Sequence, residues 1–238
     1  MSREAHVRFC KSAGVKLPRA THPTGVATDR RATAIAGQWY NPSMKTNRLE
    51  AFSDGVIAII ITIMVLNLKV PHGISVAALE PVLPVFLNYA LSFVYIGIYW
   101  NNHHHLLHAT RQINSAMMWA NLHLLFWLSL IPFATGWMGE NHFAAVPTAL
   151  YGGVLLMAAI AYFILQWSII LDQGRDSLLA GALGVDYKGK LSMLGYAAAI
   201  ALAFINHWLA DGLYILIAVV WLVPDQRIVR VLKDHQEA

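Results

Sequence analysis

Apolar residues form six long stretches along the chain, at about 51–69, 84–101, 117–138, 146–171, 191–208 and 210–224. A helix needs about 20 such residues, within a range of about 17–25, to cross the hydrocarbon core of a bilayer. The sixth stretch is short and ends at Pro224, and only a polar region around Asn206 and Asp211 separates it from the fifth. The last two stretches therefore predict a tight hairpin. The pattern predicts an all-α membrane protein with six transmembrane helices, and five spans is the main alternative.

The placement of lysine and arginine favours six spans over five. With the N-terminus inside, six spans leave 16 of the 17 basic residues on the inner side and only Lys69 outside. The predicted outer loops otherwise carry Glu80, Glu140 and Asp211. The positive-inside rule expects this asymmetry. Both termini are therefore predicted to be cytoplasmic.

The composition also indicates a chain that faces lipid. Hydrophobic residues make up 57% of it and charged residues 13%, whereas soluble domains average about 25% charged residues. A single cysteine, Cys10, excludes an intramolecular disulfide and a CxxC metal motif. Basic residues next to a membrane set orientation and contact anionic lipid. We therefore expect the lipid bilayer as a partner and no nucleic acid.

Three regions are predicted. Residues 1–44 are basic, contain Pro18 and Pro23 and lack a long apolar run. This arm is expected to be a disordered cytoplasmic extension, with a lipid-binding or partner-binding tail as the alternative. Residues 45–226 are expected to form the transmembrane domain and residues 227–238 a short cytoplasmic tail.

The start of the first span carries unusual polar residues. Asn47 followed by Glu50 is typical of an N-cap with a carboxylate at the third helical position. Asp54 comes one turn later, and a charged Asp costs about 2.5–3.5 kcal/mol at the centre of a membrane helix. Asp54 therefore needs partners inside the bundle. The alternative is a carboxylate that stays hydrated near the interface.

Helical geometry separates two faces of the first span. At about 100° per residue, with Ile59 at zero, Thr62 falls at about 300°, Ile63 at about 40° and Leu66 at about 340°. These four residues share one face, and Asp54 falls at about 220°, nearly opposite. If the shared face lines a pore, Asp54 contacts neighbouring helices. Lipid contact or ordinary packing is the alternative for the isoleucine stripe, and spacing alone favours it.

Several motifs together resemble the potassium channel family called transmembrane protein 175. The resemblance covers roughly residues 45–230 and is carried by Arg48-x-x-x-Phe52-Ser53-Asp54-Gly55, Ala58-Ile59, Thr62, Leu66, Val70-Pro71, Ser92-Phe93, Trp100-x-x-His103-His104, Asn121-Leu122, Pro132-Phe133 and Pro224-Asp225-x-Arg227. The family has six helices per repeat, and its prokaryotic single-repeat members assemble as tetramers. This chain has one repeat. The resemblance therefore implies a bacterial, multi-pass plasma-membrane channel that is a homotetramer and is selective for or permeable to potassium.

The resemblance also implies roles for residues of the first helix. In the family this helix lines the pore, and a bulky aliphatic residue forms the narrowest layer. By position that residue is Ile59, and Thr62, Ile63 and Leu66 continue toward the outside. No cofactor is expected, and monovalent cations, with potassium as the permeant ion, are the expected ionic partners. One departure is Asn67, where many members carry an acidic residue, so cation attraction at the outer mouth is expected to be weaker.

A second group of residues is implied to hold the first helix in place. In the family the Arg–Phe–Ser–Asp residues pack against the second and third helices through hydrogen bonds. The implied structural network consists of Arg48, Phe52, Ser53, Asp54, Gly55, Trp100, His103, His104 and Asn121.

A conduction mechanism follows from what the sequence lacks. It has no TVGYG-like segment, so a filter of backbone carbonyls is not expected. A ring of Ile59 side chains is instead expected to gate the pore by dewetting. Thr62 supplies the nearest hydroxyl groups and is expected to contribute to potassium preference.

The histidines invite a metal interpretation. His104 and His108 are spaced i, i+4 and share a helix face, which is a spacing that can hold Zn²⁺. In sequence, however, neither has an acidic neighbour. Structural hydrogen bonding is the favoured interpretation, a pH-sensitive element and a metal site are alternatives, and no metal site is predicted.

Two other classes of function remain open. An ion- or proton-coupled transporter would use Asp54 or a histidine as the titrating group, but the inverted repeat typical of such proteins is not evident. An enzyme would need a set such as Ser53, His104 and Asp54. Adjacent residues on a helix point about 100° apart, so the chain is not expected to be an enzyme.

Overall fold

The computed structural model describes residues 46–110, 112–174 and 186–222. Within these ranges the chain forms seven α-helices and a 3-10 helix at Val76–Val82. The α-helices are α1 (Thr46–Leu66), α2 (Leu83–His108), α3 (Ser115–Ser129), α4 (Ile131–Glu140), α5 (Ala145–Gln173), α6 (Tyr187–Ala203) and α7 (His207–Leu222). The predicted arm and the predicted tail lie outside the described residues.

The described helices agree with the prediction of an all-α membrane protein. Four helical segments are long and apolar enough to cross a membrane, namely Thr46–Leu66, Val76–His108, Ser115–Glu140 and Ala145–Gln173. The last two helices are shorter, with 17 residues in α6 and 16 in α7. The count of six spans and the cytoplasmic position of the termini stay predictions.

The first helix differs from its predicted start. Thr46 is already helical, so Asn47 lies inside the first turn and the N-cap prediction is wrong. The buried residues of α1 recur every three or four positions and form one stripe, consisting of Leu49, Ser53, Ile57, Ile60 and Met64. This stripe packs against α2, α3 and α4, so α1 lies at one side of the described bundle.

The predicted third span, 117–138, is interrupted. It consists of α3 and α4, which meet at Leu130. Pro132 lies in the first turn of α4 and has no backbone N–H, so it cannot donate to the carbonyl of Leu128. The amide of Leu130 instead donates to the carbonyl of Trp127 at 3.2 Å, which closes the last turn of α3. The proline therefore divides the segment into two helices, which together remain one candidate membrane span.

The predicted hairpin is present, and its turn lies at the start of the polar region that was predicted to separate the two helices. The turn comprises residues 204–206, where the side-chain oxygen of Asn206 accepts a hydrogen bond of 3.0 Å from the amide of Trp208. This bond starts α7 before Asp211, as an N-cap does. Asp211 was predicted in an outer loop, yet it lies inside α7 and is only 7% exposed. Trp221 donates to Ser192 at 2.8 Å, which joins the late part of α7 to the early part of α6.

The hydroxyl groups of three tyrosines form hydrogen bonds that connect α2, α5 and α7. Tyr95 of α2 donates to the carbonyl of Tyr214 at 2.6 Å, and Tyr214 of α7 donates to the carbonyl of Thr148 at 3.1 Å. Tyr151 of α5 shares a 3.0 Å hydrogen bond with Ser92 of α2. Polar groups away from water need such partners. These bonds hold α2, α5 and α7 together. Because α1 packs on α2, they also support the position of α1.

A glycine sets the closest approach of α4 to α2. A Cβ atom added at Gly139 would lie 2.9 Å from the Cα of Val85. Because backbone atoms cannot rotate away, Gly139→Ala should force the helices apart and lower the free energy of unfolding by about 1–3 kcal/mol. Thermal unfolding in detergent measures the change. Gly153→Ala is the control, since a Cβ atom there meets nothing within 4 Å. Equal unfolding midpoints for the two variants would contradict this packing.

Candidate functional site

The face of α1 that was predicted to line a pore is left uncovered by the described residues. Ile59 is 58% exposed, Ile63 44% and Leu66 80%, and Thr62 is also exposed. The buried stripe of α1 lies on the other side of the helix. From Phe52 to Leu66 the exposed positions of α1 carry no charged side chain. The uncovered face is therefore apolar, with Thr62 as its hydroxyl-bearing residue.

The hydroxyl hydrogen of Thr62 is used in a hydrogen bond to the backbone. The hydroxyl donates to the carbonyl of Ile59 at 2.8 Å, within the same helix. A hydroxyl group has one hydrogen atom to donate and two lone pairs to accept with. Because the hydrogen atom is used by the backbone, the Thr62 oxygen keeps lone pairs for a cation or water on the uncovered face.

A buried chain of hydrogen bonds holds the opposite side of α1. His103 and Asn121 share a 2.7 Å hydrogen bond, and Asn121 donates to the Ser53 hydroxyl at 2.9 Å. Ser53 in turn donates to the carbonyl of Leu49 at 2.8 Å. All three side chains are at most 1% exposed. The amide oxygen of Asn121 can only accept, so the hydrogen atom lies on Nε2 of His103. This chain connects α2, α3 and α1.

Asp54 has its own partner, separate from that chain. The indole nitrogen of Trp100 on α2 donates to an Asp54 carboxylate oxygen at 3.0 Å. Asp54 is half-buried and Trp100 is 45% exposed. The carboxylate thus contacts a neighbouring helix, on the flank of α1 that the helical geometry assigned to it.

The remaining predicted network residues lie elsewhere. His104 does not pair with Asp54; its Nδ1 atom lies 2.7 Å from a carboxylate oxygen of Glu50. Three further residues of the predicted network are exposed on α1, namely Arg48, Phe52 and Gly55. Among the described residues they take no part in the hydrogen-bond chain, the Asp54–Trp100 pair or the Glu50–His104 contact. The predicted set therefore divides into a buried chain, an Asp54–Trp100 pair and a group around Glu50.

Glu50 is the residue that sequence reasoning missed. It was interpreted as part of a helix cap, but it faces α2, where it lies near both His104 and His108. A signal was present, because Glu50 falls at about 180° on the same helical projection, beside Asp54 at about 220°. That position belongs to the side of α1 that packs on other helices.

Asn67, at the outer end of the first helix, contacts α4. Its amide nitrogen lies 3.5 Å from the carbonyl of Pro132. Nearby, Lys69 and Glu140 form an exposed ion pair of 2.7 Å. An open groove runs along this part of α1 between Ile59, Ile63 and Phe133. Beyond Leu66, a neutral amide therefore occupies the position next to the uncovered face.

These features define a helical membrane protein with several spans, whose first helix is polar where it packs and apolar where it is uncovered. Comparison with known proteins identifies the family to which it belongs. The model of the family described as endosomal/lysosomal potassium channel TMEM175 matches residues 48–132. A potassium channel from Chryseobacterium sp. (strain P1-3) is 54% identical over 192 residues, which are 81% of this chain and 100% of that protein. The chain belongs to the TMEM175 family, as the motifs of the first helix predicted.

Two further comparisons extend along most of the chain. A potassium channel from Chamaesiphon minutus is 33% identical over 190 residues, which cover 74% of this chain and 92% of that protein. The crystal structure of a lysosomal potassium-selective channel TMEM175 homolog from Chamaesiphon minutus has a TM-score of 0.65 and 30% identity, and the match covers 76% of this chain and 97% of that one. The fold described above is therefore the family's fold.

Proposed function

We propose that the chain is a potassium channel of the bacterial plasma membrane, formed by four copies around an axis lined by α1. The relatives from Chryseobacterium and Chamaesiphon are potassium channels by name, and the family is one of ion channels rather than enzymes. The observation that carries the proposal is the uncovered face of α1, since Ile59, Ile63 and Leu66 have no covering partner within the described chain.

The polar contacts of α1 support a pore on that face. Ser53 and Asp54 are both engaged with α2 or α3, which fixes the rotation of α1 about its own axis. The charged or polar groups that could otherwise line a pore are thereby held away from the uncovered face. What remains for a central axis is a layer of Ile59, a Thr62–Ile63 layer about 4.5–6 Å further along, and Leu66 about 10 Å along.

This order of layers supports a hydrophobic gate. Four isoleucine side chains at one level exclude water when they are close together, and an ion without water cannot pass. When the helices move apart, the layer hydrates and conducts. The Thr62 oxygens lie about one turn beyond the gate with free lone pairs, where they can replace part of the ion's hydration. We assign the gate to Ile59 and a contribution to potassium preference to Thr62.

A coupled transporter is the second candidate, but its chemistry has less support here. Its titrating carboxylate would be Asp54, which already accepts a hydrogen bond from Trp100 and lies away from the uncovered face. The Asp54–Trp100 pair is better explained as a contact that positions α1.

Ion flux in proteoliposomes tests the proposal directly. The purified protein should carry potassium passively, at a rate that follows the imposed voltage, with much less sodium and without exchange for protons. Empty liposomes give the background. Saturable potassium uptake driven by a proton gradient would instead establish the transporter, and the absence of flux from well-folded tetramers would reject the channel. Mass measurement of the detergent-solubilised protein gives the number of copies.

A further inference from the structure

Three metal-binding side chains meet where α1 and α2 pack together. An oxygen of Glu50 lies 2.7 Å from Nδ1 of His104 and 3.4 Å from Nε2 of His108. The two imidazole rings have their centres 4.3 Å apart. All three ligand atoms lie within 4.8 Å of one another. We propose that Glu50, His104 and His108 form a binding site for a divalent transition-metal ion of the Zn²⁺ type.

The distances suit such an ion after a small adjustment. Zinc binds histidine nitrogen and carboxylate oxygen at about 2.0–2.2 Å, usually with tetrahedral geometry, which places its ligand atoms about 3.3–3.5 Å from one another. The Glu50–His108 distance is already in that range. The Glu50–His104 distance is shorter by about 0.6 Å, and side-chain rotation of the partly exposed His104 can lengthen it.

The types of ligand select the class of metal. Two imidazole nitrogens and one carboxylate oxygen suit zinc and its first-row neighbours, whereas calcium and magnesium prefer oxygen ligands. The site also has an entry path, because the side chains of His104 and His108 are 38% and 56% exposed. The Glu50 side chain is only 16% exposed and lies on the buried side of the group. The open side leaves room for water as the fourth ligand, as in zinc sites that keep an exchangeable position.

Glu50 comes from one helix and the histidines from another, so a bound ion would join α1 to α2. The site lies one turn before Ser53 and Asp54, which already hold α1 to its neighbours. A metal ion there would add a third attachment to the helix that carries the uncovered face. If the proposed channel function holds, the ion restrains the helix that gates the pore and changes the current.

Zinc binding to the purified full-length chain tests the site without any need for flux. Titration calorimetry should find one Zn²⁺ per chain. Changes next to metal ligands weaken binding by about 10–100-fold, so loss of a ligand in Glu50→Gln or His108→Gln should weaken it by at least about tenfold. His105→Gln is the matched control. Its ring contacts that of His104, with centres 5.7 Å apart, but it is outside the group of three. Its affinity should equal that of the wild type.

X-ray absorption of the zinc-loaded protein identifies the ligands. Two imidazole nitrogens with oxygen in the first shell are expected. A shell that contains sulfur from Cys10, unchanged affinity in both ligand variants, or no binding would each overturn the site. Gel filtration of each variant before titration shows that it is folded, and Glu50→Gln keeps the shape of the side chain.

The effect on conduction is measured separately, in the liposomes used for potassium flux. Added Zn²⁺ should change the wild-type flux, leave the His108→Gln flux unchanged and act on His105→Gln as on the wild type. Zinc that binds with the expected ligands but leaves wild-type flux unchanged would overturn the restraint of α1. Zinc binding in a protein that conducts no potassium would reject the channel proposal and leave the metal site in place.

Discussion

Replacing Ile59 by alanine should increase the single-channel potassium current severalfold. The side chain is 58% exposed on the uncovered face of α1, and in four copies the substitution removes twelve carbon atoms from one layer of the proposed pore. A wider and less apolar layer hydrates more readily, so the barrier to ion entry falls. Recordings from planar bilayers at fixed voltage measure the change. The open fraction should also rise, because the same layer is proposed to close the pore.

Two companion variants separate the gate from general effects on α1. Ile61→Ala alters the same residue type on the half-buried side of the helix, and its current should stay near that of the wild type. Thr62→Val keeps the shape of the side chain but removes the oxygen, so it should lower the potassium-to-sodium permeability ratio more than the conductance. Wild-type conductance in Ile59→Ala and a wild-type permeability ratio in Thr62→Val together would remove α1 from the pore.

Replacing Asn121 by leucine should destabilise the protein more than any other single change in the polar contacts of α1. Asn121 is fully buried and bonds to His103 and Ser53 at once. Leucine has a similar volume but leaves the N–H of His103 without an acceptor, and a buried unsatisfied donor costs about 1–3 kcal/mol. A lower midpoint of thermal unfolding, read from tryptophan fluorescence in detergent, measures the loss.

The control for this change is Asn101→Leu. Asn101 is half-buried on α2, and the described residues offer its side chain no hydrogen-bond partner. Its substitution should leave the unfolding midpoint nearly unchanged. Equal midpoints for the Asn121 and Asn101 variants would show that the buried chain does not stabilise the packing of α1.

Helical periodicity explains why the two faces of α1 were predictable from sequence. The positions of Ile59, Thr62 and Leu66 relative to Asp54 depend only on the angle between successive residues, and the structure exposes the first three and turns Asp54 toward Trp100. The family motifs added the partners, since Ser53 and Asn121 both belong to them and are in contact. Local geometry and a specific motif were sufficient there.

Sequence was a poorer guide where a contact or a helix end depends on competing local effects. The apolar run 117–138 hides the interruption at Leu130, because Pro132 is compatible with the first turn of a new helix. The polar region around Asn206 and Asp211 was predicted to separate the last two helices, yet the cap at Asn206 already starts α7 and carries Asp211 into the bundle.

The group around Glu50 could not be found from spacing within one helix. His104 and His108 are four residues apart and were recognised as a pair, whereas Glu50 lies more than 50 positions earlier in the chain. Its approach depends on how α1 and α2 cross, which is a property of packing. The cap prediction also gave Glu50 a different partner, and so concealed it.

The polar contacts of α1 are concentrated near its N-terminal end, so the helix can tilt about that end. Glu50, Ser53 and Asp54 are held by α2 and α3. Beyond them the buried residues of α1 are apolar and Asn67 makes a long 3.5 Å contact. The Lys69–Glu140 ion pair lies after the last residue of the helix and is exposed, so it adds little. At about 1.5 Å per residue, Ile59 lies about 9 Å and Leu66 about 20 Å from a pivot at Ser53. A tilt of about 10° would therefore shift Ile59 by about 1.6 Å and Leu66 by about 3.5 Å. Apolar surfaces can slide by such amounts without breaking a hydrogen bond of the pivot.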